Sequence, residues 1–166
     1  MAASRFRLDP ATERDLPLLL RFIKELAAYE KLADEVVATE EVLRASLFGP
    51  HPAAEAVIAY AGGEPVGFAI YFQTFSTFLG RPGLYLEDLY VPPAWRGHGI
   101  GRLLLAYVAG VALDRKYGRM EWSVLDWNEL ALGVYRRIGA RAMNEWTVHR
   151  LTGDAIRRLA ESASIH

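Results

Sequence analysis

The chain has 166 residues, 52% of them apolar and 23% charged, which is the composition of an ordinary globular protein with a substantial core. Nineteen Lys and Arg against twenty Asp and Glu leave a net charge of −1, a balance that argues against a nucleic-acid partner. There is no cysteine, which excludes disulfides, thiolate nucleophiles and Cys-based zinc sites.

The elements follow in chain order. "RFRLD" alternates and predicts a first strand ended by Pro10. "ATERDLPLLLRFIKELAAYE" predicts a helix, with Thr12 and Asp15 at capping-box spacing and Leu16, Leu19, Leu20, Ile23 and Leu26 on one face. A second helix is predicted from Thr39 to Gly49, with Glu40 and Glu41 in its first turn. "AEAVIAYAGGEPVGFAIYFQTFS" reads as two strands joined at Gly62-Gly63, and "GLYLEDLYV" as a third. A long helix is expected over 99–117, stopped by Gly118. "RMEWSVLD" predicts a strand and "NELALGVYRRIGA" a helix closed by Gly139. "MNEWTVHRLT" predicts a late strand and "GDAIRRLAESA" a terminal helix. No linker or repeat divides the chain, so a single α/β (α+β) domain over residues 1–166 is expected. No stretch is long and apolar enough for a membrane span, and the first residues lack a signal-peptide pattern. A cytoplasmic protein with no membrane partner is the expectation.

The chemistry concentrates at "WRGHGIG". Gly97, Gly99 and Gly101 stand between a strand and a long helix. The dinucleotide fingerprint fails because Arg102 occupies the place of its third glycine. The phosphate loop of nucleotide hydrolases fails because no Lys-Ser/Thr pair follows. What remains is Arg96-x-x-Gly99-x-Gly101, whose N–H groups from His98 to Arg102 can converge on a pyrophosphate at a helix N-terminus. Arg96 or Arg102 can add charge-assisted bonds. The alternative is a glycine turn that only permits tight helix–strand packing.

"RGHGIG" after "YLEDLYV" resembles the acetyl-coenzyme A signature of the GNAT N-acetyltransferase superfamily. "FIKELAAYE", "LYLEDLYV", "WRGHGIG", "WNE", "VYRRIGA" and "NEW" stand in the order of its spermidine/spermine and thialysine N-acetyltransferase branch, from Arg7 to Leu151. The resemblance implies a GNAT fold: one mixed, mostly antiparallel twisted sheet, splayed at the cofactor cleft, with helices on both faces. It implies acetyl-CoA as co-substrate and no metal. The pantetheine arm would lie along Leu89, Tyr90 and Val91, and the pyrophosphate on Arg96, Gly97, His98, Gly99, Ile100, Gly101 and Arg102. Asn128 matches a cofactor contact and is also placed to cap the next helix. The chain departs from the branch at Leu130, where proline is common, and at Gly133 and Val134.

Acetyl transfer to an amine needs a deprotonated amine and a protonated or stabilised leaving thiolate. The resemblance makes Glu87 the substrate-contacting glutamate and candidate base; a solvent-facing or ion-paired strand carboxylate is the alternative. Asp88 is expected on the opposite face by strand alternation, in a structural role, with attraction of cations as the alternative. Tyr135 matches the general acid, against simple packing on an amphipathic helix. Tyr29, Glu30 and Glu145 match or lie near amine-contacting positions. His98 and His149 are given no chemical role, and Trp122, Trp127 and Trp146 are read as core and cleft walls. The expected enzyme is an acetyl-CoA-dependent N-acetyltransferase acting on a diamine, polyamine or lysine-like amino acid, by direct transfer in a ternary complex. Peptide or protein N-acetylation, and a non-catalytic acetyl-CoA-binding module, are the competing readings. A homodimer is implied by resemblance alone.

Overall fold

The computed structural model describes residues 5–163. They fall into two compact units that divide after Leu125. In the first, β1 (Phe6–Pro10), β2 (Glu55–Ala61), β3 (Glu64–Ser76), β4 (Arg81–Tyr90) and β5 (Met120–Trp122) form one sheet in the order β1-β2-β3-β4-β5. The first four strands pair antiparallel and β5 pairs parallel to β4. The helices are α1 (Leu16–Tyr29), α2 (Glu40–Phe48) and α3 (Ile100–Asp114).

The two sheet faces are covered separately. On one, Leu19, Phe22 and Leu26 of α1 and Leu47 of α2 pack with Ile58, Phe68, Ile70 and Tyr90. The Phe22 and Phe68 rings stack at 5.4 Å between centroids. On the other lies α3. A Cβ at Gly67 would sit 3.2 Å from Ile100 and 3.3 Å from Leu104, so this glycine lets α3 seat directly on β3.

Local signals determine the helix starts as read from sequence. Asp15 accepts the Thr12 backbone N–H at 2.7 Å, and Thr39 accepts the Val42 N–H at 3.2 Å. Gly62 and Gly63 take φ of 56° and 90° in the β2–β3 turn. α3 ends earlier than expected, at Asp114, because Lys116 adopts the left-handed conformation (φ 58°) that closes it before Gly118 is reached.

The parallel ladder between β4 and β5 holds three residue pairs and ends at Leu86 opposite Trp122. β4 runs on to Tyr90, laddered there to β3. This is the splay expected of the sheet.

The second unit contains α4 (Glu129–Arg137) and α5 (Gly153–Ser162). Asn128 caps α4 by accepting the Ala131 N–H at 3.2 Å, and Gly139 (φ 86°) follows its end. The late strand expected over 143–152 is not formed; the Trp146 N–H bonds to the Met143 carbonyl in a turn instead. Alternation supplies a face but not the neighbouring strand that a ladder needs. Likewise "RMEWSVLD" yields only the three residues of β5. Trp127 and Trp146 are exposed, not core residues, while Trp122 is half-buried.

Candidate active site

The end of β4 is irregular at the position that matters. Ile70 pairs with Asp88, and Tyr71 with Leu86, so Glu87 is the extra residue of a β-bulge. The bulge resets which way the side chains point. Leu86 shares the α3 face with its partner Tyr71, whose hydroxyl bonds to Tyr107 of α3. Asp88 shares the α1 face with its partner Ile70. Unbroken alternation would have left Asp88 on the side of Leu84 and Leu86.

Three carboxylates gather as a result. Glu87 is exposed, and Glu30, at the end of α1, is half-buried. Asp88 is more enclosed, and burial together with the Glu87 and Glu30 charges pushes its carboxyl up to about 6. Burial also raises the Glu30 carboxyl above its ordinary value. The sequence favours a structural role for Asp88, with attraction of cations as the alternative; its place on the α1 face comes from the bulge, which no local pattern announces. The available signal was a second carboxylate directly after Glu87 in an apolar strand.

The glycine segment lies beyond β4 in the same unit. Gly97 and Gly99 take φ of 78° and 84°, and both face open space at their Cβ positions. Gly99 is the N-cap of α3. Its carbonyl accepts the Leu103 N–H at 3.0 Å, which leaves the N–H groups of Ile100, Gly101 and Arg102 ahead of the first helical bond. Gly101 has only the Val91 side chain nearby, 4.0 Å from a built Cβ. Bare backbone at a helix N-terminus fits a pyrophosphate. The packing alternative fits a different glycine, Gly67.

The loop side chains divide. Arg102 is exposed. His98 is held through Nδ1 by the Trp95 and Arg96 carbonyls, at 3.1 and 3.0 Å, and its ring lies 5.9 Å from that of Trp95. Arg96 bonds through Nε to the Val91 carbonyl at 3.0 Å and lies 4.4 Å over the Tyr29 ring. Leu89 and Val91 are half-buried, whereas the Tyr90 ring is buried against Phe22 and its hydroxyl bonds to Glu25. In the second unit, Tyr135 is half-buried on α4, Asn128 caps that helix, and Glu145 is exposed in the turn of residues 143–146. The first unit therefore brings together Tyr29, Glu30, Glu87, Arg96 and, unexpectedly, Asp88. Among the described residues no group of His, Asp and Glu could hold a metal ion.

Comparison with known proteins agrees with this geometry. The acetyltransferase (GNAT) family model matches residues 21–140. The chain is 44% identical over 161 residues to a thialysine N-epsilon-acetyltransferase from Sus scrofa, covering 90% of this chain and 94% of the relative. It is 29% identical over 201 residues to an L-ornithine N5-acetyltransferase from Arabidopsis thaliana, covering 94% of this chain and 87% of the relative. Among solved structures, an integron cassette protein from the mobile metagenome of V. cholerae superposes with a TM-score of 0.79 at 25% identity, over 96% of this chain and 99% of that one. A helix opened by glycines beside a bulged, splayed strand, in a chain this similar to named acetyltransferases, shows that the chain belongs to the GNAT family and is an N-acetyltransferase.

Proposed function

We propose that the chain transfers acetyl from acetyl-CoA to the side-chain primary amine of a small, lysine- or ornithine-like amino acid, in a ternary complex. The observation that carries this reading is the carboxylate edge: Glu30, Glu87 and Asp88 converge within the unit that also holds the glycine segment. Such an edge suits a cationic acceptor, whose amine has a pKa of about 10.4 and arrives protonated. The thialysine and ornithine activities named for the relatives supply the substrate class.

Acetyl-CoA supplies the activated acetyl group and a thiolate leaving group. The chain's part is to hold and orient it, with the N–H groups at the start of α3 on the pyrophosphate and β4 from Leu89 to Val91 along the pantetheine arm. One lone pair of the Val91 carbonyl already serves Arg96, which leaves the other for an amide. Glu87, exposed on the bulge, takes the proton from the bound ammonium, directly or through water. Asp88 and Glu30 lower the cost of bringing the cation in. Tyr135 as proton donor to the departing thiolate, and Asn128 and Glu145 as further contacts, rest on the resemblance of "WNE", "VYRRIGA" and "NEW". A homodimeric, cytoplasmic enzyme is part of the same proposal; among the described residues no helix is long and apolar enough to cross a membrane.

The test is a turnover assay with acetyl-CoA against thialysine, ornithine, lysine, spermidine and an N-terminal peptide, on the parent and on Glu87→Gln. Turnover should be fastest with the amino acids. Glu87→Gln should lose about a hundredfold or more near neutral pH and recover partly as the amine deprotonates. An unchanged pH–rate shape would remove Glu87 as the base, and preference for the peptide would overturn the substrate class.

A further inference from the structure

Arg96 opens the glycine segment, yet its side chain is committed elsewhere. Nε donates to the Val91 carbonyl at 3.0 Å. The guanidinium carbon lies 4.4 Å from the centre of the Tyr29 ring and 6.0 Å from that of Tyr90. Tyr29 is the last residue of α1 and Glu30 its C-cap. The guanidinium thus joins the glycine segment, the end of β4 and the end of α1.

That end of α1 is held under tension. Lys31 N–H bonds to the Ala28 carbonyl and Leu32 N–H to the Ala27 carbonyl, at 3.1 and 2.8 Å, the pattern of a Schellman turn. The left-handed position of this turn is filled by Lys31 (φ 61°), where glycine is the easier occupant. The turn also brings Glu30 close enough to Asp88 for their like charges to raise the Asp88 carboxyl. Tyr29 packs against the core of the α1 face, and the Arg96 guanidinium adds a second hold on this helix end.

We propose that Arg96 is a positioning residue for the acceptor. Stacked on Tyr29 and bonded to Val91, it fixes the end of α1, and with it Glu30, beside the Glu87–Asp88 step of β4. Its flat guanidinium is suited to this role, since it can lie on a ring face and donate in its own plane at once; a lysine ammonium has no such face and holds the pair less rigidly. The inference deepens the reading above and rests on it for the identity of the acceptor.

The experiment compares the parent, Arg96→Lys, Tyr29→Leu and the double variant. Hydrogen exchange in the ligand-free proteins reads the link without any substrate. Arg96→Lys should speed exchange at the amides of residues 30–32 and leave those of 104–112 in α3 unchanged. With thialysine as acceptor, its KM should rise about fivefold to thirtyfold. Calorimetric affinity for acetyl-CoA is measured alongside and should fall by less than the acceptor KM rises. Tyr29→Leu should give the same KM change, and the double variant no more than either single one. Unchanged exchange at residues 30–32, or additive KM effects, would overturn the proposal. So would a loss confined to acetyl-CoA affinity, which would make Arg96 a phosphate ligand. If the parent turns over no thialysine, the acceptor reading fails, and the exchange result still decides the role of Arg96.

Discussion

The Asp88 carboxyl sits at about 6, and the cause is geometric: burial first, then the Glu87 and Glu30 charges. A carboxyl raised in the folded state binds its proton more tightly there than in the unfolded chain. The folded state is therefore favoured at low pH and loses that advantage as pH rises from about 4 through 6. Asp88→Asn removes the charge. The variant should match the parent near pH 4 and exceed it by about 1–3 kcal/mol near pH 7, from roughly two pKa units at 1.36 kcal/mol each. Urea unfolding at the two pH values measures this, and an equal difference at both would remove the electrostatic account. The same substitution should weaken amine binding, because the repulsion that costs stability is what a cation relieves. Such a trade of stability for binding is common where a site is built from like charges.

Two glycines separate the roles of packing and binding at the level of elements. At Gly67 a Cβ would lie 2.9 Å from the Tyr90 carbonyl oxygen, in addition to its contacts with Ile100 and Leu104. Gly67→Ala should push α3 off the sheet and destabilise the fold by about 1–3 kcal/mol. At Gly99 a Cβ meets open space, but φ is 84°. Gly99→Glu should cost only the modest strain of a left-handed residue, about 1–2 kcal/mol, and should abolish acetyl-CoA binding by placing a carboxylate where the pyrophosphate belongs. Melting curves and calorimetry on the pair check both; a Gly99→Glu protein that still binds acetyl-CoA would move the cofactor elsewhere. Elements of this kind were legible where the signal is local. Thr39 and Asn128 cap the helices that their sequence spacing announced, and Asp15 accepts the Thr12 N–H as its spacing announced. The glycine segment was legible because three glycines before a helix have few structural uses. The bulge at Glu87 was not, since it exists only as a mismatch of register between β3 and β4. The stretch over 143–152 was over-read for the converse reason, because an alternating pattern names a face without naming a partner strand.

For the whole molecule, the remaining question is the order of chemical events. The chain has no cysteine, so no thiol can carry the acetyl group between substrates. In the first unit the carboxylate edge and the glycine segment are joined through the end of β4 and the Arg96 contacts, and the proposed assignment of acceptor to the one and donor to the other has both bound at the same time. Direct transfer within a ternary complex then predicts a kinetic signature. Initial rates measured against thialysine at several fixed acetyl-CoA concentrations should give reciprocal plots that intersect. Parallel lines would mean an acetylated enzyme and a side chain other than cysteine as its carrier. An amine analogue that cannot be acetylated should compete with thialysine, and if donor binding comes first it should be uncompetitive toward acetyl-CoA. An amine analogue that is noncompetitive toward acetyl-CoA would mean random addition, and would require the acceptor edge to be formed before the donor arrives.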